Sequence, residues 1–224
     1  MSIVAILVDG GFYQRRAQYH WKEKTPQERA DELMDYCKSH IHAHDRLYRI
    51  FYYDCPPSGK KVFNPITQKQ VDLSRSPLYT WMTDFQDAMR SKRKVALRLG
   101  ELSDNHAYYA INAVATKRLF NGSRKVSDLT DADLTLRIEQ KGVDMRIGID
   151  IASMAYKKQI NKLILISGDS DFVPAAKLAR REGIDFVLDP MGAPIKPSLN
   201  EHIDGLVSPR RYHLTKNDDP REAE

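Results

Sequence analysis

The stretch KLILISGDSDFVPAAKLARREG, residues 162–183, decides the fold of this chain. Its apolar run at residues 163–166 leads into a Ser-Gly-Asp-Ser-Asp turn and then into a helical pattern. This order predicts a buried strand, a tight turn and a helix. Phe172 and Ala179 share the apolar face of that helix, and Gly183 stands where a C-terminal cap is expected.

Asp169 and Asp171 lie in the predicted turn between strand and helix. In open α/β sheets, ligands bind at the edge beyond the carboxyl ends of the strands. Alternatively, Asp171 caps the helix, because Asp is a preferred N-cap and favours the positive helix end. The stretch alone leaves both interpretations open.

A second carboxylate follows the N-terminal strand. Residues 3–8, IVAILV, form a continuous apolar run, as expected of a central parallel strand. The run stops at Asp9, and Gly10 and Gly11 allow close approach of the backbone.

Strands and helices alternate along the rest of the chain, which predicts the α/β class. The predicted strands are residues 46–53, 95–102 and 133–140, and the predicted helices are residues 107–120 and those that open at Thr25-Pro26 and Ser76-Pro77. Leu78, Met82 and Phe85 have core spacing in the last of these helices. Residues 54–76 form a long polar loop, which is usually functional or disordered.

The predicted helix at residues 141–158 carries an unexpected carboxylate. Ile147, Ile151 and Met154 define its buried arc at the helical period. Asp144 falls inside that arc and Asp150 lies at its edge. A buried, unpaired charge is costly, so Asp144 needs a cation, a backbone cap or a metal.

These carboxylates meet at one place if the first strand and residues 163–166 are neighbours in the sheet, because the cleft between them is then a topological switch point. The joint site would comprise Asp9, Asp144, Asp169 and Asp171. Carboxylates so close together repel unless a cation neutralises them, and oxygen ligands suit Mg²⁺ or Mn²⁺. Such a site activates water for phosphodiester cleavage. The alternative is that each Asp is a separate cap or ion-pair partner.

Three motifs resemble a known family: ILVDG at residues 6–10, KGVD at 141–144 and ISGDSDF at 166–172. The chain is similar there to NYN domains of the LabA-like group in the PIN-like nuclease superfamily. The resemblance extends over roughly residues 3–55 and 138–207. It departs at Phe12, where family members often carry Asn, and residues 103–132 exceed the usual connection in length.

The resemblance implies a three-layer PIN-like, Rossmann-like fold with a central, mostly parallel sheet flanked by helices. It also implies RNA cleavage with Mg²⁺ or Mn²⁺ held by acidic residues. The positions that match the family's metal-binding and catalytic cluster are Asp9, Asp144, Asp169 and Asp171, with Ser167 and Asp150 as candidate supporting members.

The composition limits the class of protein to which this chain can belong. The 224 residues are 42% hydrophobic and 29% charged, as in an ordinary globular protein, and the net charge of +5 mildly favours a polyanionic partner. The apolar runs are too short to span a membrane, and Met1 leads directly into the first strand. Cys37 and Cys55 form no CxxC pair. We therefore expect a reduced, cytoplasmic protein without a membrane partner.

We expect one NYN (PIN-like) domain over residues 1–214, with insertions at about 54–76 and 103–132, followed by a disordered tail at 215–224. A homodimer is left open. The predicted function is that of a metal-dependent endoribonuclease. The alternatives are a catalytically idle RNA-binding or regulatory module of the same fold, and a DNA nuclease in a defence or toxin role. The expected partner is RNA, with single-stranded DNA as the alternative.

Basic residues must flank an acidic cleft if it is to bind phosphate. Arg15 and Arg16 follow Asp9, and Lys60 and Lys61 lie in the long loop after the second predicted strand. We predict that these four residues bind substrate.

Overall fold

A central parallel sheet organises the protein, whose computed structural model describes residues 1–103 and 107–209. The strands are β1 (Ile3–Asp9), β2 (Arg46–Asp54), β3 (Lys61–Asn64), β4 (Lys69–Asp72), β5 (Val95–Leu99), β6 (Glu101–Leu102), β7 (Tyr108–Ile111), β8 (Leu134–Arg137), β9 (Gln140–Lys141), β10 (Lys162–Ile166), β11 (Asp185–Asp189) and β12 (Gly205–Leu206). The helices are α1 (Gly10–Trp21), α2 (Pro26–Lys38), α3 (Pro77–Ser91), α4 (Ala113–Phe120), α5 (Val143–Tyr156), α6 (Val173–Arg181) and α7 (Pro197–Asn200).

The main sheet has six strands in the order β12-β11-β10-β1-β2-β5, and every neighbouring pair is parallel. From β1 the chain builds one half of the sheet through β2 and β5. It then returns to the other side of β1 and builds the second half through β10, β11 and β12. The switch point expected from the sequence therefore lies between β1 and β10, where Val8 pairs with Ile166.

Two apolar layers cover the faces of the sheet, because successive side chains of a strand point to opposite sides. On one face, Ile6 of β1 packs in a core that includes Tyr13 of α1, together with residues of α2 and α3. On the other, Leu7 packs in a core that includes Ile151 of α5 and Phe172, together with residues of α6. This arrangement confirms the predicted three-layer α/β fold.

Local signals set several helix ends as expected. Thr25 accepts a bond from the Glu28 amide while the Glu28 side chain bonds back to Thr25, which forms the predicted capping box. Ser76 caps α3 immediately before Pro77. Gly183 adopts a φ of +82°, a left-handed conformation that favours glycine, just after α6.

The two insertions are more structured than the sequence suggested. The predicted loop at residues 54–76 contains the antiparallel hairpin of β3 and β4. The helix predicted at residues 107–120 is wrong in its first part. There Tyr108–Ile111 forms β7, rich in β-favouring side chains, and pairs with β8; Asn112 then caps the shorter α4.

The strand predicted at residues 95–102 is interrupted at Gly100. A side chain there would meet the carbonyl oxygen of Lys141, since an ideal Cβ on Gly100 lies 2.6 Å from it. Glycine permits this close approach at the point where the chain leaves the main sheet after Leu99 and continues as β6, which pairs with β9.

None of the helices in the described ranges is long and apolar enough to cross a membrane. The tail predicted at residues 215–224 lies outside those ranges.

Candidate active site

Asp9 stands at the switch point of the sheet. It ends β1 and caps α1, with Oδ1 accepting a bond from the Phe12 amide at 3.1 Å. Oδ2 accepts a bond from the Ser167 hydroxyl at 3.2 Å, across the gap to β10. Burial raises the pKa of the Asp9 carboxyl, and the bonds from Phe12 and Ser167 and the charge of Arg15 oppose this rise only in part.

The turn after β10 presents two further carboxylates. Ser167 is fully buried, and its hydroxyl accepts a bond from the Asp169 amide at 3.3 Å. Asp169 in turn accepts a bond from the Asp171 amide at 3.0 Å. Asp169 and Asp171 are exposed, and Asp171 does not cap α6, whose N-cap is Phe172. The capping interpretation of Asp171 is therefore wrong.

Asp144 reaches the same edge from α5. It is exposed rather than buried, because the packed part of the helix begins only at Ile147, one turn later. Partial desolvation, followed by the negative charges of Asp9, Asp169 and Asp171, raises the pKa of the Asp144 carboxyl. The four predicted carboxylates therefore share one electrostatic environment, although Asp144 is not the buried charge that the helical pattern indicated.

Asp54 is a carboxylate that the sequence reasoning missed. It ends β2, the other neighbour of β1, and is buried. It accepts bonds from the Tyr52 hydroxyl at 3.1 Å and the Cys55 amide at 2.7 Å. Burial, with a smaller contribution from the charge of Asp9, raises the pKa of Asp54 to about 6. The available signal was the pattern already noted at Asp9, an acidic residue that directly follows a strand.

Asp189, which ends β11, provides the contrast. Its fully buried carboxylate accepts bonds from the Tyr36 hydroxyl at 2.6 Å, the Met191 amide at 2.8 Å and the Ser208 hydroxyl, and it pairs with His40 at 2.9 Å. Such a carboxylate ties the α2 layer to the sheet. Its oxygens are occupied by protein partners.

A comparison with family models assigns the chain. The model of the NYN domain matches residues 72–194. The chain belongs to the NYN domain family. The match confirms the resemblance seen in the motifs and covers Asp144, Asp169 and Asp171, whereas Asp9 lies before its first residue. NYN is a domain of the PIN-like nuclease superfamily, which indicates a nuclease-type protein.

Among the solved structures, two show a more distant likeness to this chain. One is a protein of unknown function from Vibrio parahaemolyticus, with 14% identity, a TM-score of 0.48 and coverage of 92% of this chain and 91% of that one. The other is Sir2Af2 bound to a myristoylated histone peptide, with 10% identity, a TM-score of 0.37 and coverage of 95% and 88%. Neither carries an argument about function. A search of curated proteins found no match.

Phe12, where NYN domains often carry Asn, packs against the turn after β10. An ideal Cβ on Gly168 would lie 2.9 Å from Cε2 of the Phe12 ring. The glycine of the SGDSD motif thus makes room for the aromatic ring. In this NYN domain the position contacts Asp9 through its backbone amide rather than its side chain.

Asp150 does not join the acidic residues. It accepts a bond from the Tyr53 hydroxyl at 2.9 Å and pairs with Arg98 at 3.0 Å, on the face of the sheet that α5 covers. Asp150 therefore forms a structural ion pair and does not support the acidic residues in the way that the sequence predicted. Ser167, the other candidate supporting member, contacts Asp9 directly.

The basic residues predicted to bind substrate differ in their exposure and contacts. Arg15 is exposed, and its Nη1 lies within 3.6 Å of an ideal Cβ on Gly11, beside Asp9. Arg16 is buried and donates to the carbonyl oxygen of Met191 at 2.8 and 3.1 Å. The prediction that Arg16 binds substrate is wrong, because its guanidinium holds the turn after β11.

Lys60 and Lys61 are exposed at the start of the hairpin that follows β2, and their role in substrate binding stays a prediction. Lys196, which the sequence reasoning missed, lies at the acidic turn. Its ammonium group donates to the Ser170 hydroxyl at 3.2 Å. No spacing in the sequence joins Lys196 to that turn, because the contact depends on how α7 folds back.

The four predicted carboxylates have the right chemistry for a divalent cation, because carboxylate oxygens are the preferred ligands of Mg²⁺ and Mn²⁺. Burial, with a smaller contribution from neighbouring carboxylates, raises the pKa of Asp9 and of Asp144, and a bound cation would stabilise the charged form of both. The arrangement is not a closed ligand set, however. Within residues 1–103 and 107–209, no three His, Cys, Asp or Glu side chains are grouped closely enough to hold a metal ion.

Proposed function

We propose that this NYN domain is a metal-dependent endoribonuclease that cleaves RNA phosphodiester bonds. The observation that carries the proposal is the parallel pairing of β1 with β10, which brings Asp9 to the same sheet edge as the Asp169–Asp171 turn. The charge coupling of Asp144 to these residues supports the same conclusion.

Asp9, Asp144, Asp169 and Asp171 would hold Mg²⁺ or Mn²⁺. When bound, the ion would polarise the phosphate and lower the pKa of a water molecule to make it a nucleophile. The protein orients the first ligand through two fixed donors, the Phe12 amide and the Ser167 hydroxyl, one on each carboxylate oxygen of Asp9. Such supporting bonds set ligand direction and basicity.

The surroundings suit a phosphate chain that approaches an acidic edge. Arg15 on α1 and Lys196 before α7 flank the carboxylates. Their charges offset the repulsion between phosphate and the acidic residues. The net charge of +5 acts in the same direction over longer distances.

A catalytically idle RNA-binding module is the second candidate function. One observation favours it: both carboxylate oxygens of Asp9 already accept protein hydrogen bonds. The described residues also contain no ready ligand set of three side chains. An idle module would bind RNA through the same flanking cations without cleaving it.

The test compares cleavage of labelled single-stranded RNA and DNA of matched sequence in Mg²⁺, Mn²⁺ or EDTA. We expect metal-dependent RNA cleavage that Asp9→Asn and Asp169→Asn reduce by orders of magnitude. Asp35→Asn, on an exposed face of α2, is the matched control and should cleave normally. Cleavage of DNA alone would favour the DNA nuclease, and RNA binding without cleavage would favour the idle module.

Metal binding can be measured independently of cleavage. Mg²⁺ or Mn²⁺ at millimolar concentration should raise the melting temperature by mass action. Asp169→Asn should abolish that rise, whereas Asp35→Asn should retain it. A melting temperature that does not respond to either ion would overturn the proposed shared site.

A further inference from the structure

A groove with a volume of about 240 Å³ opens where the first insertion meets the edge of the main sheet. Its floor includes Asp54 and Cys55 at the end of β2. The start of α3 supplies one wall with Leu78 and Tyr79, and β8 supplies the other with Leu136. The groove therefore forms where the first insertion, the start of α3 and residues 136–140 meet.

This groove adjoins the acidic residues. Asp54 lines it, and the charge of Asp9 acts on Asp54. Gln140, another lining residue, has its Oε1 4.0 Å from an ideal Cβ on Gly11, and Asp9 Oδ1 lies 3.7 Å from the same point. A molecule that occupies the groove would thus extend to within a short distance of the first carboxylate.

The walls favour a flat, neutral group with a polar rim. Most of the lining is apolar, with leucines, Met82, two prolines and the ring of Tyr79. Hydroxyl and amide groups are present at Ser58, Ser76 and Gln140. Among the lining residues that the structure describes, Asp54 is the one charged residue, and none is a lysine or arginine. A phosphate would be repelled there, whereas a nucleobase has the matching apolar faces and hydrogen-bonding edge.

Leu78 is the strongest single indication of a ligand. Its spacing on α3 predicts a core residue, yet it is 69% exposed and lines the groove.

A second, larger cavity of about 620 Å³ lies at the opposite, amino-terminal end of the strands, around Leu47 and Lys94. It is remote from the carboxylates.

We propose that this groove binds one unpaired nucleobase of single-stranded RNA and so positions the neighbouring phosphate at the acidic edge. The proposal rests on the proposed function and names its substrate class. A paired base presents only its edge and stays stacked, so a duplex would have to open before it could enter. Single strands are therefore the expected substrates.

The test measures binding in EDTA, where cleavage does not interfere. The probes are a fluorescent single-stranded RNA of about ten nucleotides and a set of the same RNA with one abasic site moved along it. We expect one abasic position to weaken binding more than the others, by about five- to tenfold, since contacts of a base with an apolar or aromatic surface are commonly of this size.

Leu78→Ala should weaken binding of the intact RNA by a similar factor, but should cause little further loss with the RNA that lacks the critical base. The matched control is Leu206→Ala in β12 at the far edge of the sheet, where the leucine is 52% exposed. Its affinity for RNA should equal that of the wild type.

Equal effects of every abasic position, or of the two leucine variants, would overturn the proposal. So would a wild-type dimer that Leu78→Ala converts to a monomer in sedimentation, because the groove would then be covered by a second copy. Failure of the nuclease proposal is distinguishable: the protein would not cleave RNA in Mg²⁺ or Mn²⁺, whereas the abasic scan in EDTA would still report on the groove.

Discussion

The Ser167 hydroxyl donates to Oδ2 of Asp9 across 3.2 Å and joins the carboxyl ends of two neighbouring parallel strands. The Ser167 hydroxyl oxygen also accepts a bond from the Asp169 amide at 3.3 Å. One fully buried side chain therefore fixes Asp9 relative to the turn that carries Asp169. The spacing between the two acidic segments depends on this link as well as on the sheet.

Replacement of Ser167 by Ala tests the link. The Asp9 carboxylate would lose a bond that lowers its pKa, and the Asp169 amide would lose its acceptor. We expect the free energy of unfolding to fall by about 1–3 kcal/mol and metal affinity to fall with it. Urea unfolding and the Mn²⁺-dependent rise in melting temperature measure the two effects.

Ser170→Ala is the matched control, because Ser170 lies in the same turn and contacts Lys196 instead of a carboxylate. It should leave the response to Mn²⁺ almost unchanged. Equal losses in the two variants would contradict a specific role for Ser167.

The two glycines after Asp9 should respond differently to the same change. An ideal Cβ on Gly10 would lie 2.6 Å from both the Tyr52 hydroxyl and the backbone oxygen of Tyr53, so β2 would have to move. On Gly11 the nearest atom is 3.6 Å away, an ordinary contact.

We therefore expect Gly10→Ala to lower the free energy of unfolding by at least about 1–3 kcal/mol through overpacking. Gly11→Ala should be neutral or raise it by up to about 1 kcal/mol, since alanine favours the helix. Chemical denaturation of both variants decides the matter, and similar destabilisation would refute the steric explanation.

The sequence predicted the parts of the site that depend on local pattern. Asp9 and Asp169 each follow an apolar strand, and the chain order allowed those strands to be neighbours at a switch point, as they are. Asp54 follows a strand in the same way, but its significance depends on β2 being the other neighbour of β1, and strand order is not a local property.

Other differences arise from helix phase and from long-range contacts. The buried positions of α1 are Gly10, Phe12, Tyr13, Arg16 and Ala17. The helical period thus places Arg16 on the inner face and could have excluded it from substrate binding. The contact of Lys196 with Ser170 joins segments that no periodicity relates. Such contacts follow from tertiary packing alone.

The buried carboxyl of Asp54 should make stability depend on pH. Its pKa is 3.8 in the unfolded chain and about 6 in the folded protein, mainly because of burial. The folded state therefore binds this proton more tightly, and the stability that the proton contributes is complete below pH 3.8 and is lost as the pH rises through about 6.

Asp54→Asn cannot ionise, so it should gain stability relative to the wild type across this window. The difference in unfolding free energy should grow by about 3 kcal/mol from about pH 3 to about pH 8 and then level off. Urea unfolding of both proteins at several pH values measures it. A difference that stays constant with pH would mean that the Asp54 pKa is not raised.

Arg15 and Arg16 are adjacent in sequence, but replacing each by alanine should affect different properties, RNA binding for Arg15 and stability for Arg16. Arg15 is exposed beside Asp9, so Arg15→Ala should leave urea unfolding unchanged while weakening RNA binding. For a single strand, loss of one phosphate contact should reduce the slope of log affinity against log salt concentration by about 0.7.

Arg16→Ala should instead lower the free energy of unfolding by about 2 kcal/mol or more, because the Met191 carbonyl would lose buried donors. Met191 has a φ of +48°, a strained conformation for a residue other than glycine, and the guanidinium helps to hold it. Below the unfolding transition, Arg16→Ala should keep the wild-type salt slope, since its charge does not face the RNA. If Arg16→Ala flattens the slope and Arg15→Ala does not, the phosphate chain passes over the turn after β11 rather than beside Asp9.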